Sequence, residues 1–206
     1  MKVSTIQDIN LELFGKESKD LLDKYDELKS KLDDPKNHNY GNPEELIPYC
    51  ESLKNIDKPK VLALGGSIGF EAYRFKVSFP DAEMYSLDIV PETVEVGKMF
   101  FKNNEVNFIT STMSIIPLSD NFLDCIFCIQ SLEHTDDIIK TMKEVHRVLK
   151  NGGLFVLIYP YKWATDGVHK YMFEDDMYDF MKQLGEVVIE DSVQYRSKKM
   201  KLTIRK

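Results

Sequence analysis

The sequence has few cysteines, and their spacing does not build a site. Three cysteines stand in 206 residues, an odd number without the paired spacing of a zinc site or the density of a disulfide framework. Cys125 and Cys128 lie in the apolar run DCIFCIQ, and strand geometry sends their side chains to opposite faces. We therefore expect buried packing thiols, no metal site and a reduced, cytoplasmic setting.

An excess of positive charge and long apolar runs are also missing. The net charge is -7, from 27 basic and 34 acidic residues, whereas nucleic-acid binding needs clustered Lys and Arg. The one basic cluster, RSKKMK at 196–201, is interpreted as a solvated hairpin, so no nucleic-acid partner is expected. No stretch reaches membrane-spanning length and the start, MKVSTIQDIN, has no apolar signal core, so no membrane association is expected. The oligomeric state stays open.

From residue 60 onward, apolar strand-like runs alternate with amphipathic helical runs, which predicts an α/β fold with a mainly parallel sheet. The last two strands lack a helix between them and should form an antiparallel pair. Helices are expected after the glycine-rich turn to about Ser78, from Pro91, from a Thr135 cap to Asn151-Gly152-Gly153, and at 174–184. The predicted strands are 61–64, 83–89, 106–110, 124–130 and 154–160, followed by EVVIEDSVQY and KMKLTIRK.

The first sixty residues differ from the rest. Leucines and Tyr25 recur at helical spacing between Leu21 and Leu32, and 33–43 has the composition of a turn. Asn42-Pro43-Glu44-Glu45 then resembles a helix start. We divide the chain into an N-terminal helical extension or cap, residues 1–59, and one α/β domain, residues 60–206. The buried stripe expected for the second helix of the extension is Leu46, Ile47, Cys50 and Leu53.

A glycine-rich turn, GGSIGF at 65–70, follows the first strand directly. In open α/β sheets this turn usually meets the ligand, because Gly65 and Gly69 tolerate positive φ and the next helix points its N–H groups there. Phe70 and Glu71 exclude a P-loop, and the spacing does not match the G-x-G-x-x-G of dinucleotide folds. It does match the G-x-S-x-G of hydrolases, but the available acid and histidine, Asp166 and His169, lie too close together in the chain.

Asp88 ends the second strand roughly 20 residues after the turn, where an acid can bind two ribose hydroxyls. A helix cap or a solvated loop acid is the alternative interpretation. A nucleoside-containing ligand is favoured, because the acid and the glycine turn occur together in this order.

Three blocks resemble the class I S-adenosylmethionine-dependent methyltransferases, in particular the small "type 11" group. They are VLALGGSIGFEA, SLDIVPETVEVGKMF and the long segment from Ile115 to Pro160, with Leu-Glu-His after the fourth strand and Arg-Val-Leu-Lys-x-Gly-Gly. The resemblance covers about residues 60–160. It implies a single Rossmann-like domain with a seven-stranded sheet and an antiparallel last strand, helices on both faces, and S-adenosyl-L-methionine as cofactor with S-adenosyl-L-homocysteine as product.

The resemblance also assigns roles to residues. Gly65, Gly66, Ser67 and Gly69 would pass under the methionine part of the cofactor, and Asp88 would hold the ribose. Ile89, Thr112 and Met113 would meet the adenine, and Gln130 would face the methionyl group. The chain departs from the family pattern at three positions: Ala63 replaces an acid, Ser67 the middle glycine and Thr112 an aspartate. Each lost charged hydrogen bond would cost about 1.5–3 kcal/mol of cofactor binding.

Methyl transfer from a sulfonium needs alignment, and a base only where the acceptor loses a proton. His134 is the candidate base, with a pocket-shaping role as the alternative, and Glu133 is interpreted as a loop acid. Substrate contacts are expected from His38 and Tyr40 and from an aromatic loop after the fifth strand. The acceptor is expected to be a small molecule of open identity. A methyltransferase-like binding or regulatory module, and more distantly a nicotinamide-dependent reductase, remain alternatives. The aromatic loop residues are Tyr161, Trp163, His169 and Tyr171.

Overall fold

The computed structural model describes residues 43–101, 105–135, 137–160, 175–191, 197–204 and 206. Several sequence expectations fall outside these ranges. They are the helix around 21–32, the Asn42 cap, the contacts expected from His38 and Tyr40, and the aromatic loop at 161–171. The division of the chain at residue 59 therefore stays a proposal.

Within the described residues, seven strands form one sheet in the order β3-β2-β1-β4-β5-β7-β6. The strands pair in parallel except β7, which is antiparallel to both β5 and β6. The predicted mainly parallel sheet and its antiparallel closing pair are confirmed. The strands are β1 Lys60–Leu64, β2 Glu83–Asp88, β3 Asn107–Thr110, β4 Leu123–Ile129, β5 Leu149–Pro160, β6 Gly185–Asp191 and β7 Ser197–Ile204.

The α-helices of the described residues lie close to the predicted ranges. They are α1 Phe70–Ser78, α2 Pro91–Phe100, α3 Ile138–Val148 and α4 Asp175–Leu184. Short 3-10 helices cover Pro43–Glu45, Ile47–Asn55 and Leu132–His134. Leu46, Cys50 and Leu53 are fully buried as expected, whereas Ile47 of the predicted stripe is only half-buried. The backbone here forms a 3-10 helix and not the predicted α-helix.

Two apolar layers enclose the sheet, one on each face. Alternate residues of β4 join different layers, so that Cys125 packs in one cluster and Cys128 in the other. All three cysteines are buried, and all are free thiols. The prediction of packing thiols on opposite faces is confirmed, because every residue of β4 is buried and successive side chains alternate in direction.

Both predicted ends of α3 were wrong. Asp137, not Thr135, caps the helix, and its carboxylate accepts the N–H of Lys140 at 2.9 Å. Thr135 instead ends the preceding 3-10 helix, and its hydroxyl is 2.7 Å from that of Thr141.

At its other end α3 stops at Val148, before the Asn-Gly-Gly sequence. Gly152 does take a positive φ of 77°, but it lies within β5. There the pairing to β4 shifts, from Leu123↔Leu149 to Cys125↔Leu154. The glycine therefore serves an irregularity in the strand and not the end of the helix.

The sheet order decides which loops meet. β2, β1 and β4 are neighbours and run parallel, so the segments after them lie along one edge. The loop after β3 lies beside them, because β3 pairs in parallel with β2. This carboxyl edge gathers the glycine turn, Asp88 and the segment around Gln130.

Candidate active site

The turn after β1 is fastened to the end of β2. The N–H groups of Gly65 and Gly66 both donate to the carbonyl of Leu87, at 2.8 and 3.0 Å, and the N–H of Ser67 donates to Asp88 Oδ2 at 2.9 Å. Ser67 has φ of 47°, a left-handed conformation that glycine adopts more easily. The serine is exposed, so the turn presents its tip to solvent at the sheet edge.

A side chain at any glycine of the turn would collide with neighbouring atoms of the protein. A Cβ at Gly65 would lie 2.5 Å from Ser131 Cβ and 2.6 Å from Met113 Cε. A Cβ at Gly69 would lie 2.7 Å from the ring of Phe108, and a Cβ at Gly66 would come similarly close to the side chains of Ser86 and Ala63. These glycines are therefore required by packing as well as by backbone conformation, and a ligand must approach the turn from another side.

Asp88 is the acid at the centre of the edge. Its Oδ2 accepts the N–H of Ser67 and its Oδ1 the N–H of Val90, both at 2.9 Å. Burial raises the pKa of Asp88 above its ordinary value, while the N–H groups of Val90 and Ser67 act in the opposite direction. A carboxylate offers about four acceptor sites, and the hydroxyl of Thr93 and the N–H of Ile89 also act to lower the pKa of Asp88. A ribose hydroxyl would therefore share these oxygens with donors of the protein. Ile89, which follows, is half-buried.

Glu71 is a site residue that sequence reasoning missed. It lies in the first turn of α1, where burial, and then the negative charge of Asp88, raises its pKa to about 8. The Glu71 carboxyl group is thus mostly protonated at neutral pH while the Asp88 carboxylate carries the charge. An acid in a first helical turn is common, so nothing in the sequence singled it out.

The segment after β4 contacts the glycine turn directly. Gln130 is exposed, has φ of 46° and donates its N–H to the carbonyl of Ile158 at 2.9 Å. The hydroxyl of Ser131 is within hydrogen-bond distance of the carbonyls of Gly65, at 3.1 Å, and Ile129, at 3.0 Å. Ser131 was not among the predicted site residues, although it is the link between the two loops.

Glu133 and His134 follow on the 3-10 helix. His134 is half-buried, and its N–H donates to the carbonyl of Ser131 at 3.1 Å. Glu133 is 1% exposed, which corrects its interpretation as a loop acid. Burial, and then the charges of Glu133 and Glu71, raises the pKa of the Cys128 thiol, so both acids lie near the end of β4.

The loop after β3 brings Thr112 and Met113 to the same edge. Both are half-buried, and Met113 packs against the face of Gly65. The Thr112 hydroxyl accepts the N–H of Ser114 at 3.2 Å, which is the local role of the residue that replaces an aspartate of the family pattern. The predicted site residues, on the loops after β1, β2, β3 and β4, therefore lie together at one edge of the sheet.

Ala63 lies beneath this edge, fully buried in β1. Ser86 is its register partner on β2. Within the described part of the chain, the hydroxyl of Ser86 is buried without a hydrogen-bond partner. An acid at position 63 would stand directly across from that hydroxyl, so Ala63 leaves a polar group of the turn region unsatisfied.

Among the described helices, none combines the length and the apolar character that a membrane crossing requires.

Comparison with known proteins matches this arrangement to one kind of domain. A family model described as a methyltransferase domain matches residues 62–157, a range that contains all of the site residues above. The chain is 30% identical over 142 residues to the ubiquinone/menaquinone biosynthesis C-methyltransferase UbiE of Pasteurella multocida, a match that covers 66% of this chain and 53% of that protein. It is 32% identical over 122 residues to the uncharacterized methyltransferase YcgJ of Bacillus subtilis, covering 58% and 47%. The chain thus spans about half the length of the curated relatives it matches.

Solved structures show the same fold. A methyltransferase from Aquifex aeolicus superposes with a TM-score of 0.65 at 21% identity, covering 86% of this chain and 97% of the other. YcgJ of Bacillus subtilis superposes with a TM-score of 0.60 at 23% identity, covering 71% and 70%. The Rossmann-like architecture expected from the sequence is confirmed by these likenesses and by the strand order.

Proposed function

Because this chain belongs to the class I S-adenosylmethionine-dependent methyltransferases, we propose that it transfers a methyl group from S-adenosylmethionine to a small-molecule acceptor. One observation carries the proposal: the Asp88 carboxylate meets the glycine turn at 2.9 Å, at the sheet edge where open α/β proteins bind ligands. The glycine turn and Asp88 both lie within residues 62–157, the segment that matches the methyltransferase-domain family.

In this proposal Asp88 accepts hydrogen bonds from the ribose hydroxyls, and the exposed Ser67 and Gln130 border the methionine end. Ile89 and Met113 supply apolar contact for the adenine. Gly65, Gly66 and Gly69 keep the turn close to its packing partners and so fix its shape. Thr112, whose hydroxyl is engaged by Ser114, leaves the adenine amino group to backbone or water contacts.

The charge of the edge suits a cationic ligand. Asp88, Glu71 and Glu133 lie in the same region, where Glu71 retains its proton near neutral pH because its pKa is about 8. When bound, S-adenosylmethionine supplies an electrophilic methyl on a positively charged sulfur. The Asp88 carboxylate favours that positive charge, whereas the protonated Glu71 adds no charge near neutral pH.

His134 is the proposed base for acceptors that must lose a proton. It follows Ser131, whose hydroxyl lies 3.1 Å from the carbonyl of Gly65, so its backbone is tied to the cofactor turn. The relatives named UbiE are C-methyltransferases of ubiquinone and menaquinone biosynthesis. An activated ring carbon is therefore the first acceptor class to test.

A second candidate rests on Ala63 and Ser86. The unsatisfied Ser86 hydroxyl across from Ala63 supports a chain with weakened cofactor affinity that acts as a binding or regulatory module. This candidate predicts feeble binding by a well-folded protein, which an affinity measurement separates from the first.

The test is isothermal titration with S-adenosylhomocysteine on the protein and on its Asp88→Asn variant. We expect micromolar binding, and a loss of about tenfold to hundredfold in the variant, because a charged hydrogen bond contributes about 1.5–3 kcal/mol. Asp81→Asn is the matched control, since Asp81 is an exposed acid at the opposite edge of the same sheet.

The outcomes separate the candidates. Absence of binding at millimolar ligand would overturn the enzyme proposal, and weak millimolar binding by the folded protein would favour the binding module. A fluorescence change of NADH on mixing, without S-adenosylhomocysteine binding, would favour a reductase instead.

A further inference from the structure

The loop between β3 and β4, residues 111–122, carries Thr112 and Met113 but has an exposed tip. Ile115 is 54% exposed, while Ile116 is 1% exposed. The tip is a tight turn in which the N–H of Ile115 donates to the carbonyl of Thr112 at 3.1 Å. Its first anchor is the N–H of Ser111, which donates to the backbone carbonyl of Asp88 at 3.0 Å. Such a turn holds its own shape, but its placement over the sheet edge needs a second anchor.

Two side chains of α3 supply that anchor. Glu144 Oε2 accepts the N–H of Ile116 at 2.8 Å. Arg147 donates to the carbonyl of Ile116 at 2.7 Å, to the carbonyl of Leu118 at 2.8 Å and to the carboxylate of Asp120 at 2.7 Å. Both backbone polar groups of Ile116 are therefore bound by α3.

The two anchoring side chains also fix each other. Arg147 Nε lies 2.7 Å from Glu144 Oε1 and Arg147 Nη2 lies 2.8 Å from Glu144 Oε2, a two-point contact that only the planar guanidinium makes. The side chains are 32% and 20% exposed. Hydrogen bonding from Arg147 lowers the pKa of Glu144, so the Glu144 carboxylate remains charged at neutral pH.

The anchors stand on either side of the residues that face the site. Ser111 and Ile116 enclose Thr112 and Met113, and Met113 Cε packs against Gly65 of the glycine turn. A shift of the loop would therefore move Met113 along the face of that turn.

We propose that Glu144 and Arg147 are positioning residues that hold Thr112 and Met113 against the adenine end of the cofactor site. This inference rests on the proposed function, because it needs an adenosyl cofactor at the sheet edge. It adds a role for α3 beyond the packing of Met142, Val145 and Val148 in the apolar core.

The first test compares two ligands on Arg147→Met, Glu144→Gln and the unmodified protein. S-adenosylhomocysteine contains adenine, whereas S-ribosylhomocysteine lacks it. We expect both variants to weaken the first ligand by about tenfold, equivalent to one or two hydrogen bonds, and to leave the second nearly unchanged. Arg147→Lys, which keeps the charge without the planar fork, should fall between. Lys98→Met is the control, because it removes an exposed ion pair with Glu95 on α2.

The ratio of the two affinities separates positioning from general destabilisation. Equal weakening of both ligands, or no weakening of either, would overturn the positioning role. Failure of the unmodified protein to bind S-adenosylhomocysteine would overturn the proposed function first, and it is seen before any variant is made.

A second measurement uses no ligand. Hydrogen exchange should become faster at the amides of Ser114, Ile115, Ile116 and Leu118 in Arg147→Met and in Arg147→Lys, and should stay unchanged in Lys98→Met. Unchanged exchange in a folded Arg147 variant would contradict the anchor itself.

Discussion

Replacing Glu71 by glutamine should change how the stability of this protein depends on pH. In the folded chain the pKa of Glu71 is raised from 4.5 to about 8 by burial and by the charge of Asp88. The folded state therefore binds a proton that the unfolded state has released between these pH values. The stabilising effect of this group is complete below about pH 4.5 and is lost as the pH rises through 8.

The size of the effect follows from the same shift. Each pH unit in that window lowers the free energy of unfolding by about 1.4 kcal/mol, and the whole window by up to about 5 kcal/mol. Glutamine has the same shape and no charge, so Glu71→Gln should remove this slope. At pH 8 the variant should be more stable than the unmodified protein by up to a few kcal/mol, since the cost of ionising a half-buried acid near Asp88 disappears.

Urea denaturation from pH 5 to pH 9, followed by circular dichroism, measures the slope directly. Glu51→Gln is the control, because Glu51 is an exposed acid in a surface pair with Lys54; its loss should cost under about 1 kcal/mol. Parallel stability curves for Glu71→Gln and the unmodified protein would refute the conclusion that a half-buried, protonated carboxyl group lies near Asp88.

Two further substitutions test the packing beneath the site. Gly97→Ala should lower the free energy of unfolding by about 1–2 kcal/mol despite the better helix propensity of alanine, because the new Cβ would lie 2.6 Å from Phe108 Cζ and 2.8 Å from the carbonyl oxygen of Ile68. Phe108→Leu should therefore lower the free energy of unfolding less in the Gly97→Ala background than alone. Additive losses would contradict the contact between residues 97 and 108. Ala63→Asp should tighten S-adenosylhomocysteine binding by about tenfold if its carboxylate accepts the free hydroxyl of Ser86, and unchanged or weaker binding by a folded variant would show that position 63 does not limit affinity.

The sequence predicted the sheet well because its strands are apolar on both faces, a pattern that only burial under two layers explains. It also identified Asp88, since strand ends in a parallel sheet meet at one edge. These features depend on the local pattern of residue types and on the order of the elements along the chain, and both can be read from the sequence.

Other features depend on contacts between distant segments. The raised pKa of Glu71 arises from burial and from Asp88, which is 17 positions away, and the role of Ser131 arises from a contact with Gly65. The end of α3 was misplaced because an Asn-Gly-Gly sequence suits a strand irregularity as well as a helix end. In the same way, Thr135 and Asp137 are both acceptable helix caps by residue type. Asp137 caps the helix in the folded chain, where the Thr135 hydroxyl contacts Thr141 instead.

The most direct test of the account is a crystal structure of the chain with S-adenosylhomocysteine. The account predicts both ribose hydroxyls within about 3 Å of the Asp88 carboxylate, the adenine between Ile89 and Met113, and the amino-acid end beside Ser67 and Gln130. A ligand bound elsewhere, or a complex in which Asp88 makes no contact with the ribose, would contradict it.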